Sequence, residues 1–144
     1  MQLTHQEIFT RVYRHLVKQN CQALEAGKTG CQYRTADGLR CAVGSLIPDD
    51  LYQPSIEGMR AGAVLWDFWG PEATGEYKAA RAGSKTAAGE KALFDTLFNI
   101  GVQDRRGFQL LGDLQTIHDS MQPSAWPQSL ANIAAAWQLE IPHA

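Results

Sequence analysis

The segment from Cys31 to Tyr52 constrains the fold of this chain more than any other stretch of its sequence. It reads CQYRTADGLRCAVGSLIPDDLY. Asp37-Gly38 lies between two short segments of strand-like composition, and this dipeptide is a strong turn signal because both positions tolerate a left-handed backbone. We therefore predict a short β-hairpin with strands over residues 32–35 and 39–42. Because a lone hairpin is marginally stable in water, we expect it to pack against helices.

Helical patterns surround this segment. Thr4 and Glu7 predict a capping box, and apolar residues at steps of three and four predict a first helix that fades near Leu24 and stops at Gly27. Further helices are predicted at 42–47 (short), 59–69 (with a strand as the alternative), 92–100, 104–121 and from about 124–127 to a stop at Pro142. The fold class is thus mainly α (α+β), a small helical domain of about five helices with one short β-hairpin inserted after helix 1.

The chain has the length and composition of one globular domain. Its 144 residues are 44% hydrophobic and 19% charged, so we expect a single domain over residues 1–144. Residues 70–91 are rich in Ala, Gly and Lys and poor in large apolar side chains, which predicts a mobile loop.

The charge balance argues against nucleic acid as a partner. Thirteen basic residues face fifteen acidic ones, for a formal charge of -2, and this is not the electrostatic footprint of a nucleic-acid-binding domain. Arg11, Arg14 and Lys18 do lie at helical spacing, and we interpret this small basic stripe as a solvated helix face.

Targeting and redox signals are those of a cytoplasmic protein. No apolar run approaches the roughly 20 residues of a membrane span, and the N-terminal MQLTHQEIF lacks the pattern of a secretory signal. Three cysteines without CxxC spacing do not predict a disulfide framework. We expect a cytoplasmic location in a host cell and no membrane association.

Cys41 is the sharpest candidate for chemistry. It lies where a strand should give way to a helix, and helix N-termini favour the thiolate. His118 would supply the base, and Asp119 or Asp49 would orient its ring, so that the chain would be a thiol hydrolase or transferase. The alternative, which we favour, is that Cys41 is a buried small hydrophobic residue.

His118 has two further interpretations. It lies on or beside an apolar helix stripe, so we favour a core-edge histidine that helps to hold the hairpin segment in place. With Cys31 and Cys41 it would give only three ligands where a structural zinc site needs four, so we predict no metal and no cofactor. The acids Asp49, Asp50 and Glu57 fit no calcium or zinc motif, and we interpret the first two as turn and capping residues.

Two groups of residues are candidates for binding. Trp66, Phe68 and Trp69 cannot all face one side of a helix, so one ring is a candidate anchor for a partner protein. Tyr33, Arg34, Arg40 and His118 are instead the candidates for a nucleotide pocket, because arginine pairs with phosphate.

A further pattern covers both ends of the chain. It is Cys-x-Tyr-Arg, then Gly-Leu-x-Cys-Ala-x-Gly, Ile-Pro-Asp and a late Leu-Gln-x-x-His-Asp. In this chain it falls on Cys31, Tyr33, Arg34, Gly38, Leu39, Cys41, Ala42, Gly44, Ile47, Pro48, Asp49, Leu114, Gln115, His118 and Asp119. With this pattern the chain resembles small uncharacterised proteins of tailed phages and prophages, and the resemblance carries no catalytic residues. It implies a non-enzymatic accessory protein that binds a host or phage protein, for example to inhibit a host defence complex.

Overall fold

The computed structural model describes residues 2–24, 32–57 and 87–143. In this part of the chain the secondary structure is helical, with four α-helices: α1 (His5–Gln19), α2 (Ala87–Asn99), α3 (Arg105–Ser120) and α4 (Trp126–Trp137). Three short 3-10 turns, Gly44–Leu46, Pro54–Ile56 and Pro123–Ala125, lie between them. The mainly helical fold class is confirmed. The predicted helix over 59–69 lies outside the described residues, so the number of five helices is not confirmed.

Helix α1 begins as predicted and ends earlier than predicted. The Thr4 side chain accepts the Glu7 N–H and the Glu7 carboxylate accepts the Thr4 N–H, which completes the capping box. The helix ends at Gln19 because Asn20 adopts a left-handed conformation (φ 49°) and its N–H bonds the Leu16 carbonyl. Asparagine tolerates that conformation better than most residues, so the stop signal is Asn20 rather than Gly27.

Helix α2 begins five residues before the predicted start at Ala92. Residues 87–91, at the C-terminal end of the segment predicted as a loop over 70–91, are helical, and residues 70–86 lie outside the described part. Helix α3 begins and ends close to the predicted positions, and α4 begins as predicted. Helix α4 ends at Trp137, before the predicted stop at Pro142, because Gln138 adopts a left-handed conformation (φ 56°) and its N–H bonds carbonyls of the last turn. Asp104 caps α3 by accepting the Gly107 N–H at 2.6 Å, and Pro127 occupies the first turn of α4.

The core forms where α1, α3 and α4 pack on one another, with α2 covering the Pro54–Ile56 turn. Its largest fully buried side chains include Phe9, Phe108, Leu111, Leu114 and Trp126. Phe94 of α2 stacks on Phe108 of α3 with ring centroids 5.3 Å apart, which joins α2 to the same core. In the described ranges, no helix is long and apolar enough to cross a membrane.

The predicted hairpin is not confirmed. Within residues 32–57 the structure has an isolated antiparallel bridge between Arg34 and Arg40, closed by a turn with Gly38 at φ 88°. Side chains from other segments form hydrogen bonds with the backbone on both sides of the bridge. Glu57 accepts the Tyr33 and Arg34 N–H groups, and the segment is therefore a side-chain-braced turn, which we call the bridge turn (residues 33–40).

Candidate functional site

His118 lies at the C-terminal end of α3 and is fully buried. Its Nε2 accepts the Ala23 backbone N–H at 3.0 Å, so this nitrogen carries no proton. Its Nδ1 lies 2.8 Å from Asp119 Oδ1 and donates to that carboxylate. The ring stacks on Trp126 with centroids 5.5 Å apart. Both ring nitrogens are thus used in holding the chain after α1 against α3. The histidine is a structural residue, as we favoured, but the segment it holds is the one after α1 and not the predicted hairpin segment.

Gln22 strengthens the same junction. Its side-chain amide donates to the His118 carbonyl at 2.9 Å and lies within 3.5 Å of the Asp119 and Met121 carbonyls. The His118 and Asp119 carbonyls belong to the last turn of α3, where no helical N–H remains to satisfy them. Gln22 therefore caps α3 from outside, and we call Gln22, Ala23, His118 and Asp119 the histidine clamp.

Cys41 is buried at the start of the turn that leads into Gly44–Leu46. Its Sγ accepts the Gly44 N–H at 3.3 Å, and only 1% of the residue is exposed. Burial away from water raises the pKa of the Cys41 thiol far above its ordinary value, and the charge of Asp119 adds to this. A thiol in this environment remains protonated and acts as a weak acceptor, which is the opposite of an activated nucleophile.

Gln115 joins the Cys41 turn to α3. Its side-chain oxygen accepts the Val43 N–H at 3.0 Å, and its nitrogen donates to Asp119 Oδ1 at 2.7 Å. The expected docking of the Cys41 segment on the histidine helix is confirmed by this contact. Asp119 therefore accepts from Gln115 and from His118, so it positions two side chains that each hold a separate loop.

The other face of the bridge turn rests on α1. Gln19 accepts the Arg40 N–H at 2.9 Å and donates to the Arg40 carbonyl at 2.8 Å, as a neighbouring strand would. His15 Nε2 donates to the same carbonyl at 2.9 Å. Burial lowers the pKa of His15, and the charge of Arg40 acts in the same direction, whereas the hydrogen bond to the Arg40 carbonyl opposes them.

Glu57 and Tyr33 belong to the structural support of the bridge turn. The Glu57 carboxylate accepts the Tyr33 N–H (2.9 Å), the Arg34 N–H (3.2 Å) and the Tyr52 hydroxyl (2.5 Å). Tyr33 is 5% exposed, and burial raises the pKa of its hydroxyl. Its backbone packs so closely on Gly44 that a Cβ at position 44 would lie 1.9 Å from the Tyr33 carbonyl oxygen.

Arg34, Arg40 and Asp49 form a charged cluster at the surface. Nη2 of Arg34 and Nη2 of Arg40 lie 3.0 Å and 2.8 Å from the same oxygen, Asp49 Oδ1. Arg34 also donates to the Ile47 carbonyl, and its guanidinium lies 4.5 Å from the centroid of the Tyr52 ring. The Asp49 side chain is 79% exposed, whereas those of Arg34 and Arg40 are 20% and 31% exposed. Two well-fixed cations thus converge on one exposed carboxylate.

The structure divides the predicted nucleotide-pocket residues between core and surface. Tyr33 and His118 are buried, whereas Arg34 and Arg40 reach the surface through their guanidinium groups. The three acids also lie at separate places. Glu57 faces the bridge turn, Asp49 contacts the two arginines, and Asp50 lines a groove. In the described ranges, no group of three His, Cys, Asp or Glu side chains is placed to hold a metal ion. Cys31, Trp66 and Trp69 lie outside those ranges.

Two open cavities lie away from the arginine cluster. The larger, about 390 Å³, is an open groove between the chain after Pro48 and helix α2, and its lining includes Asp50, Gln53, Asp95 and Thr96. Lys91, also in its lining, pairs with Asp95. The second, about 350 Å³, lies beside Asp104 and residues 2–5, where His5 Nε2 bonds the Asp104 carboxylate at 3.1 Å.

Sequence reasoning missed the three glutamines that hold the loops. Gln19, Gln22 and Gln115 all satisfy backbone groups of segments distant in sequence. The one signal in the sequence was Gln115 inside the late Leu-Gln-x-x-His-Asp pattern. Gln19 and Gln22 look like ordinary polar residues, because an amide has no pattern that distinguishes a solvated position from a bracing one.

Comparison of the chain with models of protein families, with curated proteins and with solved structures finds no match in any of the three. No residue role is therefore carried over to this chain from a relative. The role of each residue in the site follows from its contacts, burial and charge alone.

Proposed function

We propose that this chain acts by binding another protein and not by catalysing a reaction. One observation carries the proposal: the cysteine and histidine from which a thiol enzyme would be built are both used internally. Cys41 Sγ accepts a backbone N–H in the core, and His118 Nε2, the lone pair that a general base would need, accepts the Ala23 N–H. Both residues support packing, which leaves recognition to the surface.

A finer form of the proposal concerns the partner. The resemblance to phage and prophage proteins supports a small accessory protein that binds a host protein complex and inhibits it, with bacterial defence complexes as the first class to examine. Trp66 and Trp69 remain the candidate aromatic anchors from the sequence, since tryptophan is enriched among the residues that dominate binding energy.

Affinity capture tests this function. The tagged protein is incubated with bacterial lysate, and bound proteins are identified by mass spectrometry for the wild type, Trp66→Ala, Trp69→Ala and Cys41→Ser. Phe98→Ala is the matched control, because this ring is 39% exposed on α2. We expect a partner that the wild type, Cys41→Ser and Phe98→Ala retain and at least one tryptophan variant loses.

Two outcomes would contradict the proposal. Absence of any specific partner from several hosts would remove the binding function. Loss of the partner or of biological activity in a folded Cys41→Ser variant would instead favour the thiol hydrolase or transferase.

A small anionic ligand such as a nucleotide is the second candidate, and the convergence of Arg34 and Arg40 on Asp49 favours it. Thermal unfolding in the presence of nucleotides discriminates it, because a ligand that binds only the folded state raises the melting temperature. A rise that Arg40→Gln abolishes would support this candidate over a protein partner.

A further inference from the structure

We propose that Arg34 and Arg40 form a docking site for carboxylates of an acidic partner helix, and that Asp49 of this chain occupies the site until the partner displaces it. The inference rests on the proposed protein-binding function and names the surface and the partner's chemistry. Its evidence is the pair of guanidinium groups on one carboxylate oxygen, at 3.0 Å and 2.8 Å.

Contacts other than Asp49 hold the Arg34 guanidinium and the Arg40 backbone. Arg34 donates to the Ile47 carbonyl and lies over Tyr52, and the Arg40 backbone is fixed by Gln19 and His15. Among the described residues, Arg34 Nε is a buried side-chain nitrogen without a hydrogen-bond partner. A guanidinium that is already held, as that of Arg34 is, loses little side-chain freedom when an anion binds, and arginine N–H groups match the geometry of a carboxylate.

Asp49 has the properties of an exchangeable occupant. Its side chain is 79% exposed, and exposed ion pairs are weak because water screens them. The neighbouring Asp50 lines the groove against α2, and the Glu57 carboxylate already accepts three donors of the bridge turn and its surroundings. Asp49 is therefore the carboxylate that both arginines share, and its removal leaves two cations without their common counter-charge.

The helix that holds the Arg40 backbone also carries the basic stripe. Arg11, Arg14 and Lys18 are exposed on α1, and Gln19 of the same helix holds the Arg40 backbone. From Arg11 to Lys18 the stripe covers seven helical steps, or about 10 Å of helix. Glutamates on one face of a partner helix recur at the same spacing, so the stripe complements an acidic helix in charge and spacing.

A protein carboxylate fits this surface better than nucleic acid does. The chain's own occupant is a carboxylate, so the arginine spacing is shown to suit one. Duplex DNA carries a negative charge about every 1.7 Å along its axis. Two arginines that share one carboxylate oxygen match a single carboxylate and not such a continuous row of charges.

The test uses fluorescence anisotropy with a labelled helical peptide that carries glutamate on one face at steps of three and four residues. The matched peptide has glutamine in place of each glutamate. We expect the intact protein to bind the glutamate peptide at low salt, with affinity that falls as salt rises, and to bind the glutamine peptide at least tenfold more weakly.

Asp49→Asn is the decisive variant. If Asp49 occupies the arginine site until the partner displaces it, removal of its charge should make the partner bind more tightly. We expect about a threefold to tenfold lower Kd for the glutamate peptide. Arg40→Gln and the triple variant Arg11→Glu, Arg14→Glu, Lys18→Glu should each weaken binding severalfold. The control is Arg105→Glu, an exposed arginine at the start of α3, which should leave the Kd within twofold.

Three results would overturn the inference. One is an unchanged or higher Kd for Asp49→Asn, with circular dichroism showing a native fold. If that variant does not fold, an unchanged Kd in folded Arg40→Gln has the same consequence. The second is equal loss of binding in Arg105→Glu, and the third is tighter binding of a duplex or single-stranded oligonucleotide than of the glutamate peptide. If lysate capture still yields a partner that the charge variants retain, the binding function stands and only this surface is wrong.

Discussion

Cys41 illustrates how burial decides the chemistry of a single side chain. The residue has the small neighbours and the turn position that favour a reactive thiol in sequence. In the structure it is 1% exposed and accepts the Gly44 N–H, and burial raises the pKa of its thiol. The favoured interpretation of Cys41 as a buried small residue agrees with this environment.

Thiol labelling checks this environment. Iodoacetamide at pH 8 should leave Cys41 of the folded protein unmodified while it labels the half-buried Cys21, and both should react after unfolding in guanidinium. Peptide mapping by mass spectrometry separates the two sites. Labelling of native Cys41 faster than Cys21 would contradict the buried, protonated thiol.

Gly44 is the position at which the backbone leaves no room for a side chain. A Cβ there would meet the Tyr33 carbonyl oxygen at 1.9 Å, so Gly44→Ala should lower the free energy of unfolding by about 1–3 kcal/mol. Chemical denaturation measures this loss. Gly38→Asn is the control, because a Cβ at position 38 meets nothing within 4 Å and asparagine tolerates its left-handed backbone. A larger loss in the control would show that the contact with Tyr33 is not what matters.

At the scale of the elements, the histidine clamp attaches the residues that follow α1 to the end of α3. Helix α1 ends at Gln19, yet Gln22 and Ala23 remain attached to the end of α3 through the His118 ring and the carbonyls of its last turn. Residues that follow a helix are therefore fixed by a second helix rather than by structure of their own. This arrangement gives the buried His118 a structural role.

Replacement of the His118 ring tests the structural role of the histidine clamp. His118→Phe keeps an aromatic ring for Trp126 but leaves the buried Ala23 N–H without an acceptor, which should lower the free energy of unfolding by about 1–3 kcal/mol. Asp119→Asn is the matched control. It keeps an oxygen acceptor at a 43% exposed side chain, so its loss should stay below about 1 kcal/mol. Denaturant unfolding gives both values, and a neutral His118→Phe would show that the clamp is dispensable.

Across the whole molecule, the degree of burial determines how much side chains of the same type contribute to the free energy of unfolding. Phe108 is fully buried and stacks on Phe94, whereas Phe98 on α2 is 39% exposed. Phe108→Ala should therefore cost about 3–5 kcal/mol of unfolding free energy, and Phe98→Ala less than about 1 kcal/mol. Thermal and denaturant unfolding of the two variants measure the difference. Equal losses would contradict a core centred on α1, α3 and α4.

Periodic apolar spacing and local caps were sufficient to predict most helices of the described part. The capping box of α1, the start of α3 at Asp104 and the start of α4 near Pro127 follow from interactions within a few residues. Such interactions are encoded locally, so the sequence by itself determined them, and with them the mainly helical fold class. The early stop at Asn20 and the helical residues 87–91 were missed because propensity and apolar spacing locate helix ends poorly.

Contacts between distant residues were decided by the packed molecule. No local pattern states that Gln19 would pair with the Arg40 backbone, that Glu57 would take the donors of a predicted hairpin, or that His118 would accept from Ala23. Each contact depends on which polar groups are brought together when the helices pack. In the interior, a donor left without an acceptor costs free energy of folding. Tertiary packing thus turned a predicted hairpin into a braced turn and a candidate catalytic pair into supports of the core.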